Sequence, residues 1–251
     1  MYEYLLLDMD DTILDFKKAE QVALHKTLRS FSLEPTEEVC ARYSQINQEH
    51  WEMLERKEIT RERLKVRRFE ILFQEYGLIV DSVLCSLRYV ENLAQGHFFL
   101  PGAEEAVRHL SEKYKLYLVS NGATDVQMSR LESAGIGKYF QEVFISQQVG
   151  VDKPDKLFFE RCFAKIPHLD KTKTMIVGDS LTSDILGGHN AGIATCWVNP
   201  KKKPARRDIP ADYEIEALSQ LEALLETAGG FCTGKILQNR HAPDPHSFIG
   251  E

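Results

Sequence analysis

The sequence lacks several features that would each have indicated a class of protein. Its 251 residues include five cysteines, an odd number, and no two of them form a C-x-x-C pair. They are Cys40, Cys85, Cys162, Cys196 and Cys232. This scattered set predicts reduced thiols in a cytoplasmic protein and argues against a zinc site or a disulfide framework.

Long apolar runs and an excess of positive charge are also absent. No stretch stays apolar over the roughly 20 residues that a membrane-spanning helix needs. No basic segment precedes the first apolar run, so we expect no signal peptide. The 31 Lys and Arg residues are outnumbered by 38 Asp and Glu residues, for a net charge of −7. We therefore expect no nucleic-acid partner and no membrane partner.

The first informative pattern is a short apolar run, at positions 4–7, that ends in a group of acids. The run is apolar without alternation, which predicts a strand buried on both faces. Asp8, Asp10 and Asp11 cannot continue this strand, because each would carry a charge into the core. They are therefore expected where the strand ends, at the edge where open α/β sheets bind ligands.

Positions 15–100 show helical periodicity and no convincing strand. Helices are predicted over 16–31, 36–56, 60–76 and 81–94. Because this block interrupts the chain directly after the first strand, it predicts an inserted α-helical cap domain that acts as a lid over the strand's carboxyl end.

From Pro101-Gly102 onward, helices and strands alternate. Strands are predicted over 116–119, 142–145, 174–177 and 194–198, with a short edge element at 213–215. This alternation predicts an α/β fold with a doubly wound, Rossmann-like parallel sheet, in a core domain made of 1–14 and 101–228. The remaining residues, 229–251, have two prolines and no periodicity, which predicts a disordered tail.

Polar residues follow the predicted strands in a repeated manner. They are Asp8 and Asp10 after the first strand, Ser120 and Asn121 after the second, Lys153 in the loop after the third, and Asp179 and Asp184 after the fourth. Because the carboxyl ends of parallel strands lie at one edge, these side chains should converge on a single crevice.

The residue types indicate phosphoryl transfer. Carboxylates suit Mg²⁺ that also binds substrate phosphate and water. An Asp carboxylate can attack a phosphoryl group, and a second carboxylate can protonate the leaving oxygen and then deprotonate water. Hydroxyl and amide donors, together with a lysine, can neutralise the phosphoryl oxygens. Positioning and charge neutralisation are what this reaction mainly requires.

These segments resemble the four motifs of the haloacid dehalogenase-like (HAD) phosphatases. The matching segments are Asp8-Met9-Asp10-Asp11-Thr12, Ser120-Asn121, Lys153-Pro154, and Gly178-Asp179-Ser180 with Asp184. The resemblance implies that Asp8 is the nucleophile and Asp10 the general acid/base. It implies that Ser120, with Asn121 beside it, and Lys153 bind the phosphoryl group. It further implies Mg²⁺ held by Asp8, the backbone carbonyl of Asp10 and Asp179, with Asp184 supporting the metal's water shell.

Finer segments resemble one bacterial branch of this family, the house-cleaning 5′-nucleotidases. They are positions 147–154 and 183–188, with cap positions Asn47, Trp51, Ile59 and Thr60. This resemblance implies a 5′-nucleotidase for pyrimidine nucleoside monophosphates, including non-standard ones. The N-acylneuraminate-9-phosphatases share several of these segments, so the alternative is a sugar-phosphate or broad-specificity phosphatase. Trp51 is a tentative substrate contact that could stack on a nucleobase, although we favour packing in the cap core.

Other functions on the same scaffold fit less well. A true dehalogenase has no use for an acid/base two residues after the nucleophile, because halide leaves without protonation. A binding module without catalysis predicts the loss of a catalytic group, and all are present. Nothing in the predicted cap singles out a phosphomutase. The sequence thus predicts a hydrolase that acts on a small-molecule phosphate ester.

Overall fold

A computed structural model describes residues 1–230, and within them six strands form one parallel sheet. The strands are β1 (Tyr4–Leu7), β2 (Lys115–Ser120), β3 (Phe140–Ile145), β4 (Thr174–Gly178), β5 (Ala194–Val198) and β6 (Tyr213–Ile215). Their order is β3-β2-β1-β4-β5-β6, and each neighbouring pair is parallel. The direction of the strand order reverses between β1 and β4, and ligands bind at such switch points. The predicted doubly wound sheet is confirmed.

Helices surround this sheet and fill the insertion between β1 and β2. The insertion contains α1 (Phe16–Ser30), α2 (Glu37–Glu55), α3 (Arg61–Glu75) and α4 (Ser82–Leu93). The others are α5 (Ala103–Lys113), α6 (Thr124–Ala134), α7 (Ser146–Val149), α8 (Lys156–Phe163), α9 (Leu186–Ala191) and α10 (Leu221–Gly230). Over residues 1–230, no helix combines the length and apolarity that crossing a membrane requires.

The unbroken apolar run of β1 reflects burial on both faces of the sheet. Leu5 and Leu7 belong to the core cluster that includes residues of α5 and α10. Tyr4 and Leu6 belong to the opposite cluster, which includes residues of α8. Since successive side chains of a strand point to opposite faces, both faces require apolar residues. The acids at the end of β1 therefore emerge from a strand that is fixed on both sides.

The inserted helices have a hydrophobic core of their own. Tyr43, Phe69 and Tyr89 contact one another with ring centroids 5.0–5.5 Å apart. Each helix begins with a side chain that accepts a hydrogen bond from the first turn, as N-caps do. These caps are Asp15, Thr36, Thr60 and Asp81. The predicted helix bounds are confirmed to within one residue.

Two short segments join the insertion to the core, and they pair with each other. The N–H of Asp15 donates to the carbonyl of Phe98 at 2.8 Å, and the N–H of Leu100 donates to the carbonyl of Ile13 at 3.0 Å. The helices are thus attached through a paired double connection directly after the predicted nucleophile. The division into a core domain and a cap domain stays a prediction, which the separate hydrophobic core of the helices supports.

Two local elements differ from the prediction. The short helix α7 was not predicted, because four residues carry too little periodicity to be recognised. The chain after β4 first forms a π-helical turn, Leu181–Ile185, which the alternation of strands and helices does not predict, and α9 begins only at Leu186. Such turns are rare and have no simple sequence signal. The predicted tail, 229–251, lies outside the described residues apart from its first two, which end α10.

Candidate active site

The loops that carry the predicted site residues meet at the switch point between β1 and β4. Asp8 follows β1, and its main-chain N–H donates to the carbonyl of Val177 in β4 at 2.9 Å. Asp179 directly follows β4. Lys153 approaches both from the loop between α7 and α8. Residues that the sequence spreads over most of its length therefore share one location.

Lys153 lies at the centre of this site and is 1% exposed. Its Nζ donates to Asp8 Oδ1 and Asp184 Oδ1, both at 2.7 Å, and to the carbonyl of Val119 at 3.1 Å. All three donors of the ammonium group are thus engaged. Burial alone would lower the pKa of Lys153, but the carboxylates of Asp184 and Asp8 raise it above its ordinary value. The residue is a fixed positive charge beside Asp8.

Asp184 is positioned by the turn that follows β4. Gly178 makes room for it, because a Cβ atom at position 178 would overlap the Asp184 carboxyl group. Asp184 Oδ2 accepts the main-chain N–H of Ser180 at 3.1 Å, while Oδ1 accepts from Lys153. Both of its oxygens therefore hold other parts of the site in place. Its predicted role beside the metal's water shell stays a prediction.

The acidic side chains suit a divalent cation. Carboxylate oxygens of Asp8, Asp179 and Asp184 lie within 4.8 Å of one another. Burial raises the pKa of Asp8 above its usual range, although the Lys153 ammonium opposes this shift. Burial, and after it the Asp184 charge, raise the pKa of Asp179 to about 8. Three clustered carboxyl groups beside one ammonium leave an excess of negative charge, and hard oxygen ligands of this kind fit Mg²⁺.

Ser120, at the end of β2, presents a buried hydroxyl to the site. Its Oγ accepts hydrogen bonds from the N–H of Gly122 at 3.2 Å and from Gln127 Nε2 at 2.7 Å. Because both neighbours are donors, the hydroxyl hydrogen of Ser120 is left to donate elsewhere. This arrangement is compatible with the predicted contact to a phosphoryl oxygen.

Asn121 has a different environment from the one its predicted role suggests. Its Nδ2 donates to the carbonyl of Lys153 at 2.9 Å and to Ser183 Oγ at 3.1 Å. Its Oδ1 accepts the N–H of Lys153 at 2.9 Å. The amide therefore holds the Lys153 loop on both sides. Phosphate binding by Asn121 stays a prediction, and in this structure its side chain acts on the position of Lys153.

Asp10 is fixed by two side chains of α6. Arg130 Nη1 donates to Asp10 Oδ1 at 2.5 Å, and Gln127 Nε2 donates to Oδ2 at 2.7 Å. Arg130 is fully buried, and its guanidinium forms an ion pair with the Asp10 carboxylate. The backbone carbonyl of Asp10 as a metal ligand stays a prediction.

The inserted helices contact the site through Arg61, the first residue of α3. Its Nη1 donates to the carbonyl of Asn121 at 2.5 Å, and its Nη2 donates to Ser146 Oγ at 2.9 Å and pairs with the carboxylate of Asp152. Two of these partners are next to predicted phosphate-binding residues, since Asn121 follows Ser120 and Asp152 precedes Lys153. The third, Ser146, begins α7. Trp51 is partly buried, and its ring centre lies 5.6 Å from the guanidinium carbon of Arg61.

Glu55, the last residue of α2, makes a second contact to the core. Its Oε2 accepts a hydrogen bond from Thr182 Oγ1 at 2.8 Å, in the π-helical turn after β4. Burial raises the pKa of Glu55 to about 7, and the nearby Asp184 charge adds to the shift. An insertion residue with a perturbed pKa thus lies beside the acidic cluster.

Comparison with known proteins agrees with this geometry. A family model described as haloacid dehalogenase-like hydrolase matches residues 5–198, which include every predicted core site residue. The chain belongs to the haloacid dehalogenase-like hydrolases. The predicted family is therefore confirmed, and the protein is a hydrolase.

Several relatives of this HAD hydrolase match along most of their length. The pyrimidine 5′-nucleotidase PynA of Streptococcus pneumoniae is 39% identical over 88% of this chain and 93% of its own. The pyrimidine 5′-nucleotidase YjjG of Escherichia coli is 30% identical over 89% of this chain and 98% of its own. The HAD-hydrolase YfnB of Bacillus subtilis has a magnesium-bound crystal structure that reveals interdomain movement, and its sequence is 39% identical to this chain. It matches with a TM-score of 0.86 over 89% of this chain and 98% of that chain.

The sequence did not reveal several residues of this hydrolase's site. They are Glu55, Arg61, Gln127 and Arg130. The only available signal was in α6, where Gln127 and Arg130 lie three positions apart and therefore on one helix face. Both side chains are buried, and therefore this face of α6 points into the protein although it carries polar side chains. In the sequence alone, such residues look like ordinary polar residues of a solvated helix.

Proposed function

We propose that this HAD hydrolase is a Mg²⁺-dependent phosphomonoesterase that forms an aspartyl-phosphate on Asp8. The observation that carries the proposal is the buried contact of Lys153 Nζ with Asp8 Oδ1 at 2.7 Å, inside a carboxylate cluster that fits a metal. A lysine in this position keeps one Asp8 oxygen oriented and leaves the other free to attack. It also provides positive charge where the phosphoryl oxygens would lie.

The reaction has two steps. An Asp8 oxygen attacks phosphorus, the bond from phosphorus to the leaving oxygen breaks, and Asp10 gives that oxygen a proton. Water then attacks the phosphorus of the aspartyl-phosphate and gives a proton to Asp10. The bond between phosphorus and the Asp8 oxygen breaks, so phosphate is released and the Asp8 carboxylate is restored. Ser120 donates a hydrogen bond to a phosphoryl oxygen throughout, and the fixed positive charge of Lys153 offsets the negative charge of the phosphoryl oxygens. Bound Mg²⁺, held by Asp8, Asp179 and the Asp10 carbonyl, would neutralise charge on the phosphoryl group.

The inserted helices serve as a lid in this proposal. Arg61 and Glu55 contact the core on either side of the crevice, at Asn121, Asp152 and Thr182. Closure by such contacts excludes bulk water and strengthens the electrostatic interactions inside. The leaving group of the substrate would lie against α2, where Trp51 is the tentative contact.

The substrates that we propose are pyrimidine nucleoside monophosphates, including non-standard ones. The names of PynA and YjjG, which match this chain over nearly their full lengths, support this choice. The reaction partner is then a small phosphate ester. We place the enzyme in the cytoplasm, because the four cysteines among the described residues are free thiols.

A substrate panel, measured with and without Mg²⁺, tests both the proposed reaction and the proposed substrate class. The panel contains UMP, dUMP, dTMP, purine monophosphates, small sugar phosphates and a sialic acid 9-phosphate. We expect Mg²⁺-dependent turnover with the highest kcat/KM for pyrimidine monophosphates. Best activity on a sugar phosphate would support the alternative, a sugar-phosphate phosphatase, and would leave the core residues in their roles. No metal-dependent turnover of any ester would refute the phosphomonoesterase itself.

A further inference from the structure

Both carboxylate oxygens of Asp10 are held from the same helix. Arg130 donates to Oδ1 at 2.5 Å and Gln127 donates to Oδ2 at 2.7 Å. The two residues are three positions apart on α6, so they lie on one face, one above the other. A carboxylate held at both oxygens has a fixed rotamer. It keeps further lone pairs that can take up a proton, and the protonated carboxyl group can then donate that proton.

The contacts extend to a second site residue. Gln127 Nε2 also donates to Ser120 Oγ at 2.7 Å, and Arg130 Nη1 donates to Gln127 Oε1 at 3.0 Å. A Cβ atom at position 122 would overlap the Gln127 side chain, so Gly122 leaves the space that Gln127 occupies. Gln127 therefore fixes the distance between Asp10 and Ser120, the two groups proposed to meet the leaving oxygen and the phosphoryl oxygens.

Arg130 is costly to bury, and stability does not account for it. It is 0% exposed, and among the described residues no acceptor lies within reach of its Nη2. A buried donor without a partner costs free energy, and a buried ion pair is often no more stabilising than apolar residues of similar volume. Its Nε donates to the carbonyl of Gly96 at 2.7 Å, in the segment that leads from α4 back to the core. Arg130 thus connects Asp10 to the exit of the inserted helices.

We infer that Arg130 and Gln127 are positioning residues for Asp10, an inference that rests on the proposed phosphomonoesterase activity. They hold the Asp10 carboxyl group where it transfers a proton to and from the oxygens at phosphorus. Proton transfer needs heavy-atom distances of about 2.6–3.2 Å. A misplacement of about 1 Å can reduce the rate by about 10²-fold.

The test compares two esters that differ in their need for an acid. The leaving alkoxide of UMP requires a proton, whereas dinitrophenolate leaves readily without one. We measure kcat/KM, which reports the steps through cleavage of the ester bond, for UMP and for 2,4-dinitrophenyl phosphate with saturating Mg²⁺. For Arg130→Lys and Gln127→Met we expect the loss with UMP to be on the order of 10- to 100-fold. The loss with dinitrophenyl phosphate should be at least about tenfold smaller.

Ser129→Ala is the matched control on the same helix. Ser129 Oγ donates to the carbonyl of Ala94 at 2.9 Å, so this variant also loosens α6 from the exit segment, but it does not touch Asp10. We expect it to retain the wild-type ratio of the two kcat/KM values. Thermal unfolding of every variant shows whether it folds. If Arg130→Lys does not fold, Gln127→Met replaces it, and Ser120→Ala then measures the loss that comes through Ser120 and should be equal for both esters.

The outcomes separate the inference from the proposed function. Equal losses with both esters, or no loss with UMP, would overturn the positioning role while leaving the phosphatase intact. Failure of the wild-type protein to hydrolyse either ester with Mg²⁺ would refute the proposed function itself. A selective loss with UMP supports both.

Discussion

The α/β core and the inserted helices contribute to the site in different ways. Core groups lie at strand ends or, like Lys153, in the loop between α7 and α8. They have several fixed partners, and Lys153 has three. The inserted helices reach the site through single side chains at helix ends, mainly Arg61 and Glu55. The chemical groups therefore belong to a sheet that is packed on both faces. If the inserted helices act as the proposed lid, access to these groups depends on a few contacts with the core.

This difference predicts two kinds of mutational effect. Changes to the chemical groups of the core should reduce turnover of every ester, because every substrate presents the same phosphoryl group. Changes in the inserted helices should act on closure or on the leaving group, and their effects should be smaller. The predictions below test this contrast, beginning with the largest expected effect.

Asp8→Asn should abolish turnover of all esters, with a loss on the order of 10⁴-fold or more, since no nucleophilic carboxylate remains. The protein should stay folded, because burial disfavours the charged form of Asp8, as the raised pKa of its carboxyl group indicates. Asparagine has the same shape and carries no charge. Steady-state kinetics and thermal unfolding in EDTA measure the two effects. Asp11→Asn is the control, because Asp11 Oδ1 accepts the N–H of Phe16 at 3.1 Å and asparagine keeps that oxygen. Substantial activity in Asp8→Asn would contradict covalent catalysis.

Arg61→Met should reduce kcat/KM by about 10- to 100-fold for large and small esters alike, because the contacts that close the lid are lost. Small-angle X-ray scattering should show a larger radius of gyration in the variant. Arg63→Met is the matched control, two residues further along α3. It loses only an ion pair with Glu70 on the surface. A loss as large as that of Asp8→Asn would break the contrast, since it would place Arg61 among the chemical groups.

The same contrast explains which residues the sequence could reveal. Asp8 and Asp179 could be predicted because each directly follows a strand, and strand ends of a parallel sheet share one edge. Lys153 lies further from its strand, in the loop between α7 and α8, and was predicted from its order in the chain and from the family motif. The sheet and the helix bounds followed from local periodicity and caps. Arg61 and Arg130 could not be predicted, because their roles depend on how a helix docks against a distant loop. Arg61 contacts Asn121, and Arg130 contacts Asp10, across long separations in the chain.

Trp51→Ala tests whether the lid recognises the leaving group. If the indole stacks on the base, KM for UMP should rise about fivefold, which corresponds to about 1 kcal/mol, the lower end for base stacking. KM for glycerol phosphate, which has no base, should remain at the wild-type value. If Trp51 only packs within the lid, both KM values should stay constant while the melting temperature falls. Enzyme kinetics with the two substrates and a thermal melt decide between these interpretations.

Glu55 is the contact of the proposed lid that should respond to pH. Burial raises the pKa of Glu55 to about 7 in the folded protein, from an ordinary value of 4.5. Between pH 4.5 and about pH 7, the Glu55 carboxyl group keeps a proton in the folded state that it has lost in the unfolded state. The stability contributed by that proton is therefore fully present below about pH 4.5 and is lost as the pH rises through 7. Glutamine keeps the neutral form at every pH.

Metal-free Glu55→Gln should consequently match the wild type near pH 5 and be more stable at pH 8, by up to about 3 kcal/mol. Urea unfolding at the two pH values in EDTA measures the difference. The contributions of the acidic cluster are common to both proteins, apart from its interaction with the charge of Glu55, which is part of the effect measured. Glu52→Gln is the control, because Glu52 lies exposed on the same helix. A Glu55→Gln protein that is less stable at pH 8 would show that the ionised carboxylate holds the lid to Thr182, and the pH response of closure would then have the opposite sign.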